Sequence, residues 1–248
     1  AFDYRFSNSP GNVKNQSANV NNMRMTAHFQ SKRKRYESFL TMISNKAASS
    51  ENGGLIKSDL LDSLSLGNPY ELDTRLGVSG MTFKNPFNTS ISTGTTYKDN
   101  IFLLKQTYDV GQKDSIVKDT VTTYMFYPRL RFQNEIKYKT SQFLFNDQNP
   151  DSVRYQDYFN FTLPAGKEMT FQDNWKVLND EFSLISYPQK NNSNQFLQLA
   201  TGYINYTASF PSQSVWSNYD LYAFAVYKNK TRNQLWDMLA SGKLYING

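Results

Sequence analysis

The sequence contains no cysteine and one histidine, His28, among its 248 residues. Disulfides and thiolate metal centres are therefore impossible in it, and Cys–His catalysis and multi-histidine metal sites are excluded too. It also lacks any run of about 18 apolar residues, so no hydrophobic helix is long enough to cross a bilayer. Its longest uncharged stretch, 191–219, is rich in Asn, Gln, Ser and Thr instead. A barrel strand escapes this test, because it crosses with about 9–11 tilted residues and hides its apolar half by alternation. Mean hydropathy is low, at −0.63. Disordered chains share that property but are poor in aromatics, and here 15% of residues are Phe, Tyr or Trp. The net charge of +6 invites a nucleic-acid reading. The one basic cluster, Lys32 to Arg35, is short and sits at a tight turn, so no nucleic-acid partner is expected.

What the chain does have is a two-residue rhythm, the mark of a β-strand. In RLRFQNEIKYK, residues 129–139, Leu130, Phe132, Ile136 and Tyr138 fall on one side. Arg129, Arg131, Gln133, Glu135, Lys137 and Lys139 fall on the other, four positive charges and one negative, which no dry core would hold. Met25 and Phe29 oppose Arg24 and His28 in the same way, and Trp236 and Leu244 oppose Asp237 and Lys243. Arg or Lys facing lipid at the bilayer midplane costs about 2–4 kcal/mol, whereas in a wet lumen it stays hydrated. Arg24, His28, Arg129, Arg131, Glu135, Lys137, Lys139, Asp237 and Lys243 are therefore expected to line a lumen. Met25, Phe29, Leu130, Phe132, Ile136, Trp236 and Leu244 are expected to face lipid.

The same pattern predicts nine strands near 1–8, 20–31, 35–46, 96–111, 122–145, 171–187, 195–210, 217–229 and 233–247, with a long loop over 47–95. Short and long connections alternate, as in outer-membrane barrels, whose turns are short at one rim and longer at the other. Aromatics toward strand ends, among them Tyr36, Tyr108, Tyr206, Trp216 and Tyr219, suit the girdles at such rims. The expected fold is all-β: an antiparallel meander over 1–248 forming part of a transmembrane outer-membrane β-barrel. Nine strands with two raw edges would leave backbone groups unpaired in lipid, so further strands from outside the segment are expected. The lack of an initiator Met before Ala1, and a strand pattern running out at Gly248, point the same way.

Catalytic chemistry is hard to assemble. His28 lies mid-strand among polar residues, where a wall-lining role outweighs that of a base in a Ser–His barrel hydrolase. Ser49 to Gly54 is glycine-rich but has no Lys-Ser/Thr, so it is not a phosphate loop. Asp59, Asp62 and Asp73 match no EF-hand spacing. The neighbours Asp180 and Glu181 point to opposite faces and cannot share a substrate atom. No catalytic residue, cofactor or metal is expected, and the protein is not expected to be an enzyme.

Tyr36, the stretch Ser50 to Ile56 (SENGGLI), Tyr108 to Gly111, Pro128 to Leu130, Tyr227 to Asn233 (YKNKTRN) and Ala240 to Gly248 (ASGKLYING) carry a resemblance. In that order they resemble the putative porins of Bacteroidota outer membranes, over most of the chain. The resemblance implies an integral outer-membrane barrel surrounded by lipid, and it brings no substrate, catalytic residue or cofactor with it. It also implies O-glycosylation where Asp is followed by Ser or Thr and an apolar residue, as at Ser63, Ser115, Thr120 and Ser152. The expected function is passive diffusion of small hydrophilic solutes through the lumen, with an anion bias from the basic face of 129–139. The alternative is a non-conducting barrel subunit of a larger outer-membrane secretion, uptake or assembly complex.

Overall fold

β-Branched and aromatic residues at alternate positions favour a pleated surface with two unlike faces, and the chain folds accordingly. The computed structural model describes residues 1–57, 59, 68–77, 91–118, 121–164, 167–190, 192–230 and 235–246. Its strands are β1 (Phe2–Ser9), β2 (Ala18–Gln30), β3 (Tyr36–Ser50), β4 (Thr93–Lys118), β5 (Val121–Asp147), β6 (Met169–Ser186), β7 (Gln195–Ser209), β8 (Trp216–Lys230) and β9 (Asp237–Tyr245). Each pairs antiparallel with the next, giving one sheet in the order β1 to β9. The two end strands are not joined among the described residues, so the sheet is an open arc of the kind that forms part of a barrel.

Two elements differ from the sequence expectation. Residues 112–118, expected as a turn, continue β4, and β4 pairs with β5 as far as Lys118 opposite Val121. This hairpin runs past the ends of β3 and β6, whose last partners on it are Tyr108 and Leu130. A break in register between Val110 and Gly111 marks where it leaves the sheet. The connection after β5 also holds a helix, α1 (Ser152–Phe159), which strand periodicity cannot reveal. Its caps were legible: the Asp151 carboxylate accepts from the Val153 and Arg154 N–H groups, and Asn160 closes the helix in the left-handed region.

Cross-strand register decides which residues share a face. On one face Met25, Met42, Phe102, Tyr138 and Leu178 form a row, and four further rows end at Val110, Leu130, Ser186, Leu197 and Tyr227. Most side chains in this band are apolar, and Phe29, Tyr108, Phe132, Phe182, Leu199 and Leu221 are exposed. From Phe102 to Val110 the band measures about 27 Å along the strand, or about 20 Å of height at the usual barrel tilt. Tyr36 and Tyr108 lie near its short-turn edge, and Tyr138, Tyr203 and Tyr219 near the opposite one. Tyr206 and Trp216, expected in a girdle, lie on the other face instead.

Beyond the band, toward the long connections, this outer face turns polar, with Ser44, Lys46, Lys98, Asn100, Thr140 and Lys176. The band therefore sits against the short-turn rim, and the strands rise past it at the other end.

The opposite face is charged and more closely packed, with Thr107, Asp109, Ser183, Ile185, Ala200 and Tyr222 buried on it. Convergence of its side chains means that the sheet curls toward this face. Tyr222 lies directly across from Gly202, and a Cβ at Gly202 would come within 2.2 Å of the ring. The absent side chain leaves room for the ring to lie flat over β7. The Tyr222 hydroxyl reaches β6, donating to Glu181 Oε2 at 2.9 Å and lying 3.2 Å from Asn179 Oδ1.

Candidate pore wall and rim

Register places Arg24, His28, Arg131, Glu135, Lys137, Lys139, Asp237 and Lys243 together on the charged face. Met25, Phe29, Leu130, Phe132, Ile136 and Leu244 share the opposite one. Trp236 precedes β9 and is 72% exposed. Arg129 sits at the register break and leaves the wall: its guanidinium donates to the Tyr187 and Pro188 carbonyls in the turn after β6.

The charged residues mostly have partners. Arg131 grips Asp109 through two parallel bonds of 2.6 and 2.8 Å and lies over the Tyr187 ring. Lys139 lies 3.2 Å from Asp99, which also accepts from the Ser141 hydroxyl, and Lys105 lies 3.8 Å from Glu135. Lys230 pairs with Asp237, and Lys243 stands 3.8 Å from the Tyr222 ring centroid. His28 stacks on Phe39 at 4.3 Å, with Nε2 2.8 Å from Glu37. Its ring bond thus goes to a carboxylate.

These pairs alter the charge of the wall. On β4, β5 and β6, short of the projecting hairpin, the four cations Lys105, Arg131, Lys137 and Lys139 share the face with six carboxylates, Asp99, Asp109, Glu135, Asp147, Asp173 and Glu181. The excess positive charge of one strand is offset by its neighbours. The signal was present in the sequence: Asp99, Lys105 and Asp109 alternate in step with one another, but which face of β5 they meet depends on register.

At the rim with the long connections, three of them fold together on the charged side. Thr93 and Asp147 are directly opposite each other. The Asp147 carboxylate accepts from the Thr93 hydroxyl and from the Tyr155 hydroxyl of α1, both at 2.9 Å. Burial, and then the neighbouring carboxylate, push the Tyr155 phenol well above its usual range. Lys14 is buried beside Asp73 at 3.3 Å, and Asn15 bonds Thr74 and the Leu76 carbonyl. Arg154 donates to the Thr74 carbonyl, while the Tyr70 hydroxyl donates to Pro10 O at 2.8 Å. Burial raises the Tyr70 phenol as well.

The Glu-Asn-Gly-Gly stretch directs this packing. Glu51 accepts from the Thr95 hydroxyl, and Asn52 accepts from the Gly54 N–H and donates to the Lys14 carbonyl. Gly53 and Gly54 have φ of 63° and 93°, a region open to glycine, and a Cβ at Gly53 would come within 3.0 Å of Leu76 and Phe159. The motif therefore turns the chain back over the rim.

A family model described as "Putative porin" matches residues 1–248, the whole chain. The chain belongs to this putative porin family. No curated protein and no solved structure matches it. An all-β sheet without a membrane-length helix among its described residues agrees with a barrel that crosses by strands, and the family points to an outer-membrane channel. Of the four residues expected to carry glycans, Ser115 is exposed in the porin's projecting hairpin and Ser152 is exposed at the start of α1. Ser63 and Thr120 lie outside the described residues. Among the described residues, no group of three His, Cys, Asp or Glu side chains could hold a metal ion.

Proposed function

We propose that the chain forms the wall of an outer-membrane pore for small hydrophilic solutes. Arg24, His28, Arg131, Glu135, Lys137, Lys139, Asp237 and Lys243 line the lumen. Met25, Phe29, Leu130, Phe132, Ile136, Trp236 and Leu244 meet lipid. One observation carries the reading: a single register puts the charged residues on the curled face and an apolar band of membrane height on the other. Charges in a wet lumen cost little, and the same charges in lipid cost several kcal/mol (about 2–4 each for Arg or Lys). The anion bias expected from 129–139 alone finds no support in this wall, because β4 and β6 supply matching carboxylates; weak selectivity follows. The folded rim lies on the lumen side and narrows the entrance. Purified full-length protein in planar bilayers should show stepwise conductance with weak ion selectivity. Consistent absence of steps from folded protein would sink the proposal.

The projecting hairpin favours a second reading, a barrel subunit docked to other outer-membrane proteins. Past Asp109 and Arg129 no other strand among the described residues pairs with its two strands, and unpaired strand edges are templates for added strands. Shortening the hairpin should release co-purifying partners while conductance persists; loss of neither would remove this reading. We also propose Ser115 and Ser152 as O-glycan acceptors, which intact-mass measurement of the native protein and of Ser→Ala variants would test.

A further inference from the structure

The apolar outer band has a polar seam through its middle. In its central row Ser38, Gln106 and Asn134 are direct cross-strand neighbours on β3, β4 and β5. Asp180 stands one row away on β6, between Ile136 and Tyr203. Asn134 Nδ2 donates to Asp180 Oδ1 at 2.7 Å, and the Tyr36 hydroxyl donates to Gln106 Oε1 at 2.7 Å. None of the four side chains is buried by the chain itself, and Asp180 is exposed. If the band meets membrane, as proposed above, lipid tails offer these groups nothing to bond with. A carboxylate and two carboxamides can make about four hydrogen bonds each, more than their neighbours supply. Polar and small side chains at membrane depth mark protein contacts, and an ionisable one there has a partner.

We propose that this seam is an intramembrane interface with a second copy of the chain. A two-fold axis along the membrane normal keeps every residue at its own depth, so polar row meets polar row. It sets β5 against β5 and β4 of each copy against β6 of the other. The Gln106 carboxamide of one copy then faces the side of the seam that bears Asp180 in its partner. Carboxamides both donate and accept, so the row is self-complementary. An unrelated partner would need its own polar row at the same depth, a match that symmetry gives a second copy without further requirement.

The test places single cysteines in full-length protein that has no other cysteine, in native outer membranes. Asn134→Cys should cross-link into a homodimer that joins two differently tagged copies. Ala223→Cys, in the same row but three strands away, should form no cross-link. Asp180→Leu combined with Asn134→Leu should convert a detergent-solubilised dimer to monomer. Cross-linking to a protein of another mass, or none at Asn134→Cys, overturns the second-copy assignment. Failure of the membrane reading is distinguishable: Ala223→Cys would then react readily with a membrane-impermeant maleimide.

Discussion

Substituting Gly202 with Ala should damage this sheet more than a single methyl group ordinarily does. The new Cβ would lie 2.2, 2.4 and 2.6 Å from Cζ, the hydroxyl and Cε1 of Tyr222, where carbon atoms settle at about 3.5–4.0 Å. The ring must therefore move by more than an ångström. In moving it loses its bond to the Glu181 carboxylate, a charge-assisted contact of about 1.5–3 kcal/mol. The residue is 2% exposed, and forced repacking of such a site costs about 1–3 kcal/mol more. Gly202→Ala should thus destabilise by about 3–5 kcal/mol, close to the cost of Tyr222→Ala, for which large-to-small core changes suggest about 3–5 kcal/mol. The double variant should cost little more than Tyr222→Ala alone, because the methyl then fills vacated space. Urea unfolding of the refolded protein in lipid vesicles, followed by Trp fluorescence, gives the cycle. Additive single costs, or a Gly202→Ala variant within about 0.5 kcal/mol of the parent, would refute the idea that this glycine exists to seat the ring.

Three further outcomes are expected. Asp109→Ala should cost about 2 kcal/mol, between the values for exposed and fully buried pairs, because Arg131 loses both bonds; Asp109→Leu with Arg131→Met should recover most of it in the same unfolding assay. Tyr155 is neutral when folded and its pKa lies above the ordinary 10.0, so its contribution is complete below pH 10 and declines as the pH rises further, when the unfolded chain ionises first. Protease cleavage of the rim should therefore increase above pH 10 in the parent, and a Tyr155→Phe variant should lack that added pH dependence. Lys137→Glu should shift the reversal potential in a salt gradient only modestly, and a strongly anion-selective parent channel would contradict the balanced wall.

Much of the strand pattern was legible because alternation is a local property. Leu130, Phe132 and Ile136 announce their shared face without reference to any other strand. Charge balance was not, since Asp109 and Asp99 matter only through a register that brings them beside Arg131 and Lys139. The projecting hairpin reads as a turn in the sequence because Gln112 to Thr120 is polar and charged, the composition of a loop, whereas in an arm outside the band neither face needs to be apolar. The rim was hidden for another reason. Lys14 and Asp147 read as solvated loop charges, and only long-range contact buries them. Asp180 interrupts the apolar alternation of Leu178, Phe182 and Leu184, and only the cross-strand seam through Gln106 and Asn134 gives that interruption a pattern.

The position of the apolar band has a hydraulic consequence. Because the band lies against the short-turn rim while β3 to β7 continue past it with a polar outer face, a conduit of the proposed kind would stand taller than the part that meets lipid. A solute crossing it would meet a long wet shaft before reaching bilayer depth. Resistance to flow in a narrow tube grows with length, so trimming the strands back to the band, with the rim carried down intact, would shorten the path without touching the part that meets lipid.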